Sequence, residues 1–465
     1  MLRLRNRQEM GTVPLFRYHS PMGRRVVILG AGLAGLSTSL HLPPDLDVSV
    51  FEREDEVGGV ARSRRVGEFT FDYTGHLLHL RDAGVKELVA RLLPDAFHDC
   101  HRKAVIRSHG VYVPYPFQAN LHGLPAEIVA ECLIGFAEAL ASGQKSEEAT
   151  DFQDWCLRCF GAGISKHFMI PYNAKLYCRD LSRMSAEWVS WSVPRPSLEQ
   201  VVKGALGTRI EGMGYNPTFF YPKEGGIDIL PRALATEARG VELRCDVKRV
   251  DLAGKLVHLA DGRSVPYDHL VTTLPLRNFI ALVDGMPQWA REAADALTSV
   301  TVCGFNFGIG RADVADFDWV YVPEPEFPFY RFGFPSAFSK GVCPPGTSSC
   351  YVEVAVDRGT PIDLDATERA VLDGLRRIGI LREDDRILAK DRVVIDPAYV
   401  VFDPHRAATR DKLLDLLLAS DVQSIGRYGA WTYSGMEDAI IAGRQAAAVI
   451  TGGAVPSAGQ RPGDR

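Results

Sequence analysis

Three glycines with the spacing G-x-G-x-x-G are suited to holding a phosphate group. Gly30, Gly32 and Gly35 follow an apolar run that begins at Val26. In a strand–turn–helix unit the first glycine permits a tight turn, the second lets the backbone approach a pyrophosphate, and the third lets the helix pack on the strand. The helix predicted from about Leu33 would point free N–H groups and its dipole at the same place, which favours an anion.

An acidic residue follows at the distance expected for a dinucleotide site. Glu52 ends a second apolar run, Val48 to Phe51, and lies 22 residues beyond Gly30. At this spacing a carboxylate meets the ribose hydroxyls of a dinucleotide, and it would repel a 2′-phosphate. A plain βαβ unit is the alternative, but strand, helix, second strand and terminal acid all occur here at the right spacing.

The residues after the second strand indicate which dinucleotide binds. E-x-G-G-x-A-x-S, starting at Glu56, resembles the extended fingerprint of flavin amine oxidases and their relatives. In that family the second glycine pair, here Gly58 and Gly59, and an arginine, here Arg62, lie along the flavin diphosphate and ring. The resemblance therefore implies FAD rather than NAD.

Size and composition are those of a multi-domain globular protein. The chain has 465 residues, 46% hydrophobic and 24% charged, with a net charge of −5. Two or three domains are expected, with no general attraction to nucleic acid, no apolar run of the roughly 18 residues that span a membrane, and no secretory signal. An Arg-rich start also occurs in organelle transit peptides, but we favour a disordered extension.

The cysteines indicate a reducing compartment, so we expect a cytoplasmic protein without a metal site. There are nine, an odd number, scattered through the chain. Cys156 and Cys159 form C-x-x-C, but no second pair or histidine follows at zinc spacing. We expect them one turn apart on a helix in a structural role, with a redox or metal role as the alternative.

The order of elements predicts an α/β fold in which an FAD-binding Rossmann domain carries an antiparallel substrate-binding sheet and a helical insertion. The first and last parts of the chain would form the Rossmann domain. The predicted segments are an N-terminal extension (1–24), three parts of the FAD-binding domain (25–110, 211–290, 416–451), a helical insertion with substrate contacts (111–210), the antiparallel sheet (291–415) and a disordered tail (452–465).

Two later segments are expected to contact the cofactor. A β meander begins near Leu243, and Val247 is predicted to meet the adenine end through its backbone. Near the end of the chain a strand, a glycine turn at Gly426-Arg427 and a helix beginning near Met436 would point further N–H groups at the flavin.

Two residues are candidates for catalysis. His76 ends a Thr-Gly-His turn that would lie near the cofactor, although such a histidine is more often structural. Arg331 lies between Tyr330 and Phe332 in a β-rich region. It either faces solvent or holds an anionic substrate.

The whole series of motifs resembles one family, the eukaryotic-type UDP-galactopyranose mutases and their bacterial look-alikes. The motifs occur in order over roughly residues 25–450: V-P-Y-P-F-Q-A-N (113–120), P-Y-N-x-K (171–175), the region of Trp188, N-P-T-F-F-Y-P-x-E-G-G (216–226), F-Y-R (329–331) and G-R-Y-G-A-W-x-Y (426–433). The broader superfamily includes amine oxidases and protoporphyrinogen oxidases.

The resemblance implies a pyranose–furanose mutase that acts on a nucleotide sugar. In that family the N5 atom of reduced flavin forms a covalent bond with the anomeric carbon, the sugar ring reopens and closes, and there is no net redox change. NAD(P)H is a candidate reductant. His76 and Arg331 resemble the family's flavin-side histidine and diphosphate arginine. The implied substrate-side residues are Tyr115, Gln118, Asn173, Tyr177, Tyr321, Arg331, Tyr399 and Tyr433.

The sequence also departs from the family pattern. The family's second diphosphate arginine falls at about Ser192, where Arg195 is a nearby substitute, and Tyr177 stands where the family has Trp. Two rival interpretations therefore stay open: a flavin oxidase or dehydrogenase of the amine oxidase and protoporphyrinogen oxidase type, and a catalytically idle flavin-binding protein.

Overall fold

A computed structural model describes residues 23–189, 193–210, 213 and 217–453. The predicted N-terminal extension up to residue 22, position 192, Asn216 and the tail beyond residue 453 lie outside the described residues.

The strands, in chain order, are β1 (Arg25–Leu29), β2 (Asp47–Phe51), β3 (Ser63–Val66), β4 (Phe69–Asp72), β5 (Phe97–His101), β6 (Ala104–Ser108), β7 (Val111–Pro114), β8 (Thr218–Pro222), β9 (Val241–Glu242), β10 (Val247–Asp251), β11 (Leu256–Leu259), β12 (Ser264–Pro266), β13 (His269–Thr272), β14 (Ser299–Ile309), β15 (Trp319–Tyr321), β16 (Arg331–Gly333), β17 (Ser348–Asp357), β18 (Ile387–Val400) and β19 (Val422–Ser424).

The helices alternate with the strands at both ends of the chain. They are α1 (Leu33–His41), α2 (Ala83–Leu92), α3 (Ala126–Ser142), α4 (Phe152–Ile164), α5 (Ile170–Tyr177), α6 (Leu198–Ala205), α7 (Ile229–Glu237), α8 (Leu276–Leu282), α9 (Gln288–Ala296), α10 (Pro335–Phe338), α11 (Leu364–Arg377), α12 (Arg406–Leu418), α13 (Gly426–Gly429) and α14 (Met436–Ile450). A π-helical segment, Ser165–Met169, joins α4 to α5. In the described part of the chain, no helix is long and apolar enough to cross a bilayer.

A parallel sheet forms the dinucleotide-binding part of the molecule. Its strand order is β19-β13-β1-β2-β9, and every described pair is parallel. The central strand β1 is buried on both faces, which is why Val26 to Leu29 form an unbroken apolar run. The fold is α/β as predicted, and segments distant in sequence complete the sheet.

A second, larger sheet of seven strands is separate from the parallel sheet. Its order is β18-β14-β17-β16-β15-β6-β7. The pairs are antiparallel except β15 with β6, which is parallel. All eleven residues of β14 are buried because this strand is central and is covered on both faces.

The helices α3, α4, α5 and α6 of the insertion share an apolar core with the large sheet. Phe117, Phe152 and Phe160 are completely buried there. Cys156 and Cys159 lie one turn apart on α4, as predicted, and both are free thiols. Burial raises the pKa of the Cys159 thiol to about 11, so this pair is mainly protonated at neutral pH.

Candidate active site

The glycine loop between β1 and α1 leaves room for a ligand only at its middle glycine. A Cβ at Gly30 would lie 2.3 Å from Oγ1 of Thr273, and one at Gly35 would lie 2.0 Å from the Gly30 carbonyl oxygen. At Gly32 the first atom met is the Cα of Gly59, at 3.9 Å. No side chain caps α1, so the first N–H groups of the helix face an open space suited to a diphosphate.

Glu52 lies at the tip of β2, beside this loop. Its carboxylate is 8% exposed and accepts hydrogen bonds from the N–H groups of Ala31 (2.8 Å) and Glu54 (3.0 Å). The N–H of Cys245 donates to the Glu52 carbonyl at 2.8 Å. This contact brings Val247, the first residue of β10, to the same end of the sheet as Glu52.

The second glycine motif, Gly58-Gly59, lies against the glycine loop between β1 and α1. Gly58 has a φ of +116° and its N–H donates to the Ala31 carbonyl at 2.8 Å. Arg62 follows, with its guanidinium 4.9 Å from the ring centre of Tyr73. Its Nε is buried with no hydrogen-bond partner among the described residues, which leaves a donor for a bound phosphate or flavin.

The closing segment approaches from the opposite side. Gly426 has a φ of +76°, where a Cβ would lie 3.0 Å from that of Ala34 on α1. Met436 begins α14, whose N-cap is Gly435. The guanidinium of Arg427 donates to the carbonyl oxygens of Ser434 (2.7 Å) and Ala398 (3.2 Å), and no described carboxylate lies within ion-pair distance of it.

The loop that carries His76 lies flat on the large sheet. A Cβ at Gly75 would lie 2.6 Å from the hydroxyl oxygen of Tyr351, and one at Gly304 would lie 2.9 Å from the Tyr73 carbonyl oxygen. Both glycines are therefore needed for this close approach. Desolvation lowers the pKa of His76 to about 4, although the Thr74 carbonyl, 3.3 Å from Nδ1, acts in the opposite direction. His76 is neutral at physiological pH.

Arg331 faces the site but already has a carboxylate partner. It pairs directly with Glu353 across β16 and β17. Its Nε and Nη2 donate to the two Glu353 oxygens at 2.7 and 2.8 Å, and Nη2 lies 3.5 Å from the Tyr399 hydroxyl. Of the two interpretations of Arg331, an exposed face is wrong, since its side chain is only 20% exposed.

Tyrosines converge around these two arginines. The Arg427 guanidinium lies 5.3 Å from the ring centre of Tyr399 and 4.8 Å from that of Tyr433. The ring of Tyr321 lies 5.5 Å from that of Tyr115. Burial raises the pKa of Tyr433, and its charged or titratable neighbours include Tyr321 and both arginines. The structure thus brings together residues from five separate segments.

Of the remaining predicted substrate residues, Tyr177 contacts this cluster: it ends α5 and packs against Tyr399, with ring centres 6.3 Å apart. Asn173 is 8% exposed and donates to the carbonyl of Met169, the last residue of the π-helical segment. Gln118 is 2% exposed and donates to the Pro194 carbonyl, and its Oε1 has no partner among the described residues.

Arg195 does not face this cluster. Its guanidinium lies 3.1 Å from Oγ of Ser146 and 3.8 Å from the Glu147 carboxylate, at the surface of the helical insertion. A third arginine beside the tyrosines is Arg102, whose guanidinium lies 4.4 Å from the ring centre of Tyr115.

Two residues of the site, Glu353 and Arg102, were missed by the sequence analysis. Glu353 interrupts the apolar stretch C-Y-V-E-V-A-V of β17. A single carboxylate inside such a run must be paired when it is buried, and that signal could have identified it. Arg102 lies in the mixed segment H-R-K, which carries no such signal.

The uncapped helix, the open glycine and the unpaired Arg62 nitrogen fit FAD, and the fold defines an FAD-dependent flavoprotein. The family profile described as flavin containing amine oxidoreductase matches residues 33–451. The chain belongs to that family, and its cofactor is FAD.

Individual relatives differ in how much of the chain they match. The crystal structure of a reduced UDP-galactopyranose mutase is similar with a TM-score of 0.88 and 26% identity, covering 93% of this chain and 94% of that one. A putative protoporphyrinogen oxidase from Exiguobacterium shares the fold, with a TM-score of 0.71, 15% identity and coverage of 92% and 99%. Protoporphyrinogen oxidase 2 of Arabidopsis thaliana is 23% identical over 314 residues, 58% of this chain and 60% of that protein's length.

Proposed function

We propose that this protein is an FAD-dependent isomerase of the pyranose–furanose mutase type, acting on a nucleotide sugar without net redox change. The observation that carries the proposal is the similarity to the reduced mutase structure along 93% of the chain, combined with a tyrosine-lined cluster that holds two partly buried arginines, Arg331 and Arg427. Such a cluster suits the diphosphate of a nucleotide sugar, because hydroxyl and guanidinium N–H groups donate to phosphate oxygens.

The local charge favours an anionic ligand. The Arg331 charge is balanced by Glu353, whereas Arg427 donates to the carbonyl oxygens of Ser434 and Ala398 and has no carboxylate partner among the described residues. Arg102 likewise has no described carboxylate within ion-pair distance, and its guanidinium covers the ring of Tyr115. We infer that Arg102 supplies the second cation that the family pattern expects near residue 192, while Arg195 does not.

We assign His76 to the side of the site that faces the flavin. Reduced FAD supplies a nucleophilic nitrogen, N5, for the exchange of substituents at the anomeric carbon. Because its pKa is lowered to about 4, His76 contributes a neutral imidazole that can donate or accept a hydrogen bond. Tyr115, Tyr321, Tyr399 and Tyr433 would hold the diphosphate, with Gln118, Asn173 and Tyr177 supporting the sugar or base.

A substrate screen on the reduced protein tests this proposal. The holoprotein is reduced with dithionite under nitrogen and offered a panel of nucleotide sugars, and the ring form of the product is read by NMR. We expect pyranose–furanose interconversion with reduced protein and none with oxidised protein. His76→Ala should lose most of the turnover and keep FAD, while His122→Ala, an exposed histidine, should behave as wild type.

The second candidate is an oxidase or dehydrogenase, which the similarity to protoporphyrinogen oxidases favours. In that case oxidised protein in air would consume substrate, with either formation of hydrogen peroxide (an oxidase, whose reduced flavin passes its electrons to oxygen) or bleaching of the flavin (a dehydrogenase). Activity of this kind without any ring interconversion would contradict the mutase proposal. Interconversion under reducing conditions would in turn dismiss an idle flavin-binding protein.

A further inference from the structure

We propose that Glu353 is a positioning residue that joins the substrate-side arginine, Arg331, to the flavin-side loop that carries His76. This inference rests on the FAD site of the family and not on the identity of the substrate, so the two can fail separately.

The carboxylate of Glu353 has partners on two different elements. On β16, Arg331 donates to both of its oxygens, at 2.7 and 2.8 Å. From the His76 loop, the N–H of Gly75 donates to Oε1 at 3.3 Å. Glu353 is 1% exposed, so water does not compete for these contacts.

The surroundings of Glu353 hold its contacts with Arg331 and Gly75 in place. The strand partner on its other side is Gly304 of β14, and a Cβ there would lie 2.9 Å from the Tyr73 carbonyl oxygen. The loop therefore lies directly on the sheet at the position of the carboxylate. The bidentate pair fixes the plane of the Arg331 guanidinium and leaves its second Nη group for a ligand.

The same carboxylate acts electrostatically on both sides of the site. Its negative charge balances Arg331 and also acts on His76, whose other charged neighbours are Arg331 and Arg427. Flavin reduction adds negative charge to the ring, which an ionised carboxylate nearby opposes. Replacing Glu353 by a neutral residue should therefore make the bound flavin easier to reduce.

Two variants separate charge from position. Glu353→Gln removes the charge and places an amide NH₂ opposite the donors of Arg331. Glu353→Asp keeps the charge but is too short to contact both Arg331 and Gly75. The matched control is Glu368→Gln, another buried carboxylate that pairs with Arg392 and Lys390 on the outer face of β18.

The measurements are the midpoint potential of the bound flavin and deuterium uptake by peptides covering residues 73–78. We expect Glu353→Gln to shift the potential to more positive values and to speed uptake in these peptides. Glu353→Asp should keep the wild-type potential and also speed uptake, which keeps the proposal testable if the glutamine variant does not fold. Glu368→Gln should match wild type in both.

Deuterium uptake at residues 73–78 equal to that of wild type in both Glu353 variants would contradict the proposal that Glu353 positions the loop. A wild-type potential in Glu353→Gln would overturn the action of its charge on the flavin. Neither measurement requires a substrate, so a failed screen of nucleotide sugars would leave both results interpretable.

Discussion

At the scale of single residues, the site depends on how buried charges are balanced. Arg331 is held by a carboxylate that is itself buried, whereas Arg427 is held by carbonyl oxygens. Removing one partner of a buried pair leaves the other unpaired, which costs more than the net value of the pair. This difference leads to distinct expectations for substitutions on the two sides of the site.

Arg331→Ala should impair both stability and binding. We expect KM for a diphosphate-bearing substrate to rise about 10–100-fold, because a charge-assisted contact worth roughly 1.5–3 kcal/mol is lost. The melting temperature should also fall, since Glu353 is left buried without its partner. The double variant Arg331→Ala/Glu353→Gln should recover part of the melting temperature but not the KM. Unchanged KM in the single variant would contradict the assignment of Arg331.

Asp72 gives a prediction about pH. Desolvation raises the pKa of this carboxyl to about 6, against the hydrogen bonds from Ser63, Tyr221 and Ile227. The folded state therefore holds a proton that the unfolded state has already lost, and this group reduces stability as pH rises from about 4 to 6. In Asp72→Asn the free energy of unfolding, relative to wild type, should increase across this range by on the order of 3 kcal/mol. Denaturant melts at pH 4 and pH 7 measure the difference, and equal differences would exclude a raised pKa.

At the scale of elements, the packing of α14 on α1 connects the end of the chain to the cofactor site. A Cβ at Gly443 would lie 2.4 Å from the Ala34 carbonyl oxygen, and Oγ of Ser37 donates to the Ile440 carbonyl at 2.6 Å. Any side chain at Gly443 must push the two helices apart.

Gly443→Ala should therefore weaken the retention of FAD as well as lower the melting temperature. The movement of α1 displaces the N–H groups that face the diphosphate. FAD content after gel filtration and the melting temperature measure the two effects. Gly310→Ala, where a Cβ meets ordinary contacts at 3.4 Å, is the control. Full FAD content in the Gly443 variant would show that α14 does not set the position of α1.

The sequence predicts elements better than it predicts their pairing. The strand β1 was found because burial on both faces leaves an unbroken apolar run. The strand β2 was found from the apolar residues before Glu52. The parallel pairing of β15 with β6 was not predictable, since residues 104–106 and 319–321 are joined only in three dimensions. The sequence does mark Glu353 as a carboxylate inside an apolar run, but its partner on β16 is known only once strands are paired.

At the scale of the whole molecule, FAD should act as a structural ligand. Its proposed site lies where β1, β2, the loop before β10 and the closing segment meet, so FAD should bind the folded chain and not the unfolded one. FAD at 100 times its Kd should stabilise the protein by about 2.7 kcal/mol. Thermal melts of apoprotein across an FAD titration should show a rising melting temperature, while riboflavin, which lacks the diphosphate, should have a smaller effect. Equal effects of the two would contradict a diphosphate site at Gly32.

The strand order of the parallel sheet has a consequence for synthesis of the protein in a cell. Its outer strand, β19, begins at Val422, and α14, which lies on α1, ends at Ile450. The nucleotide pocket begun by the glycine loop at residues 30–35 thus waits for residues 422–450, which the ribosome adds roughly four hundred codons later. Loading of the vitamin-derived cofactor should follow synthesis of β19 and α14, and a chain truncated just before Val422 should yield a colourless product.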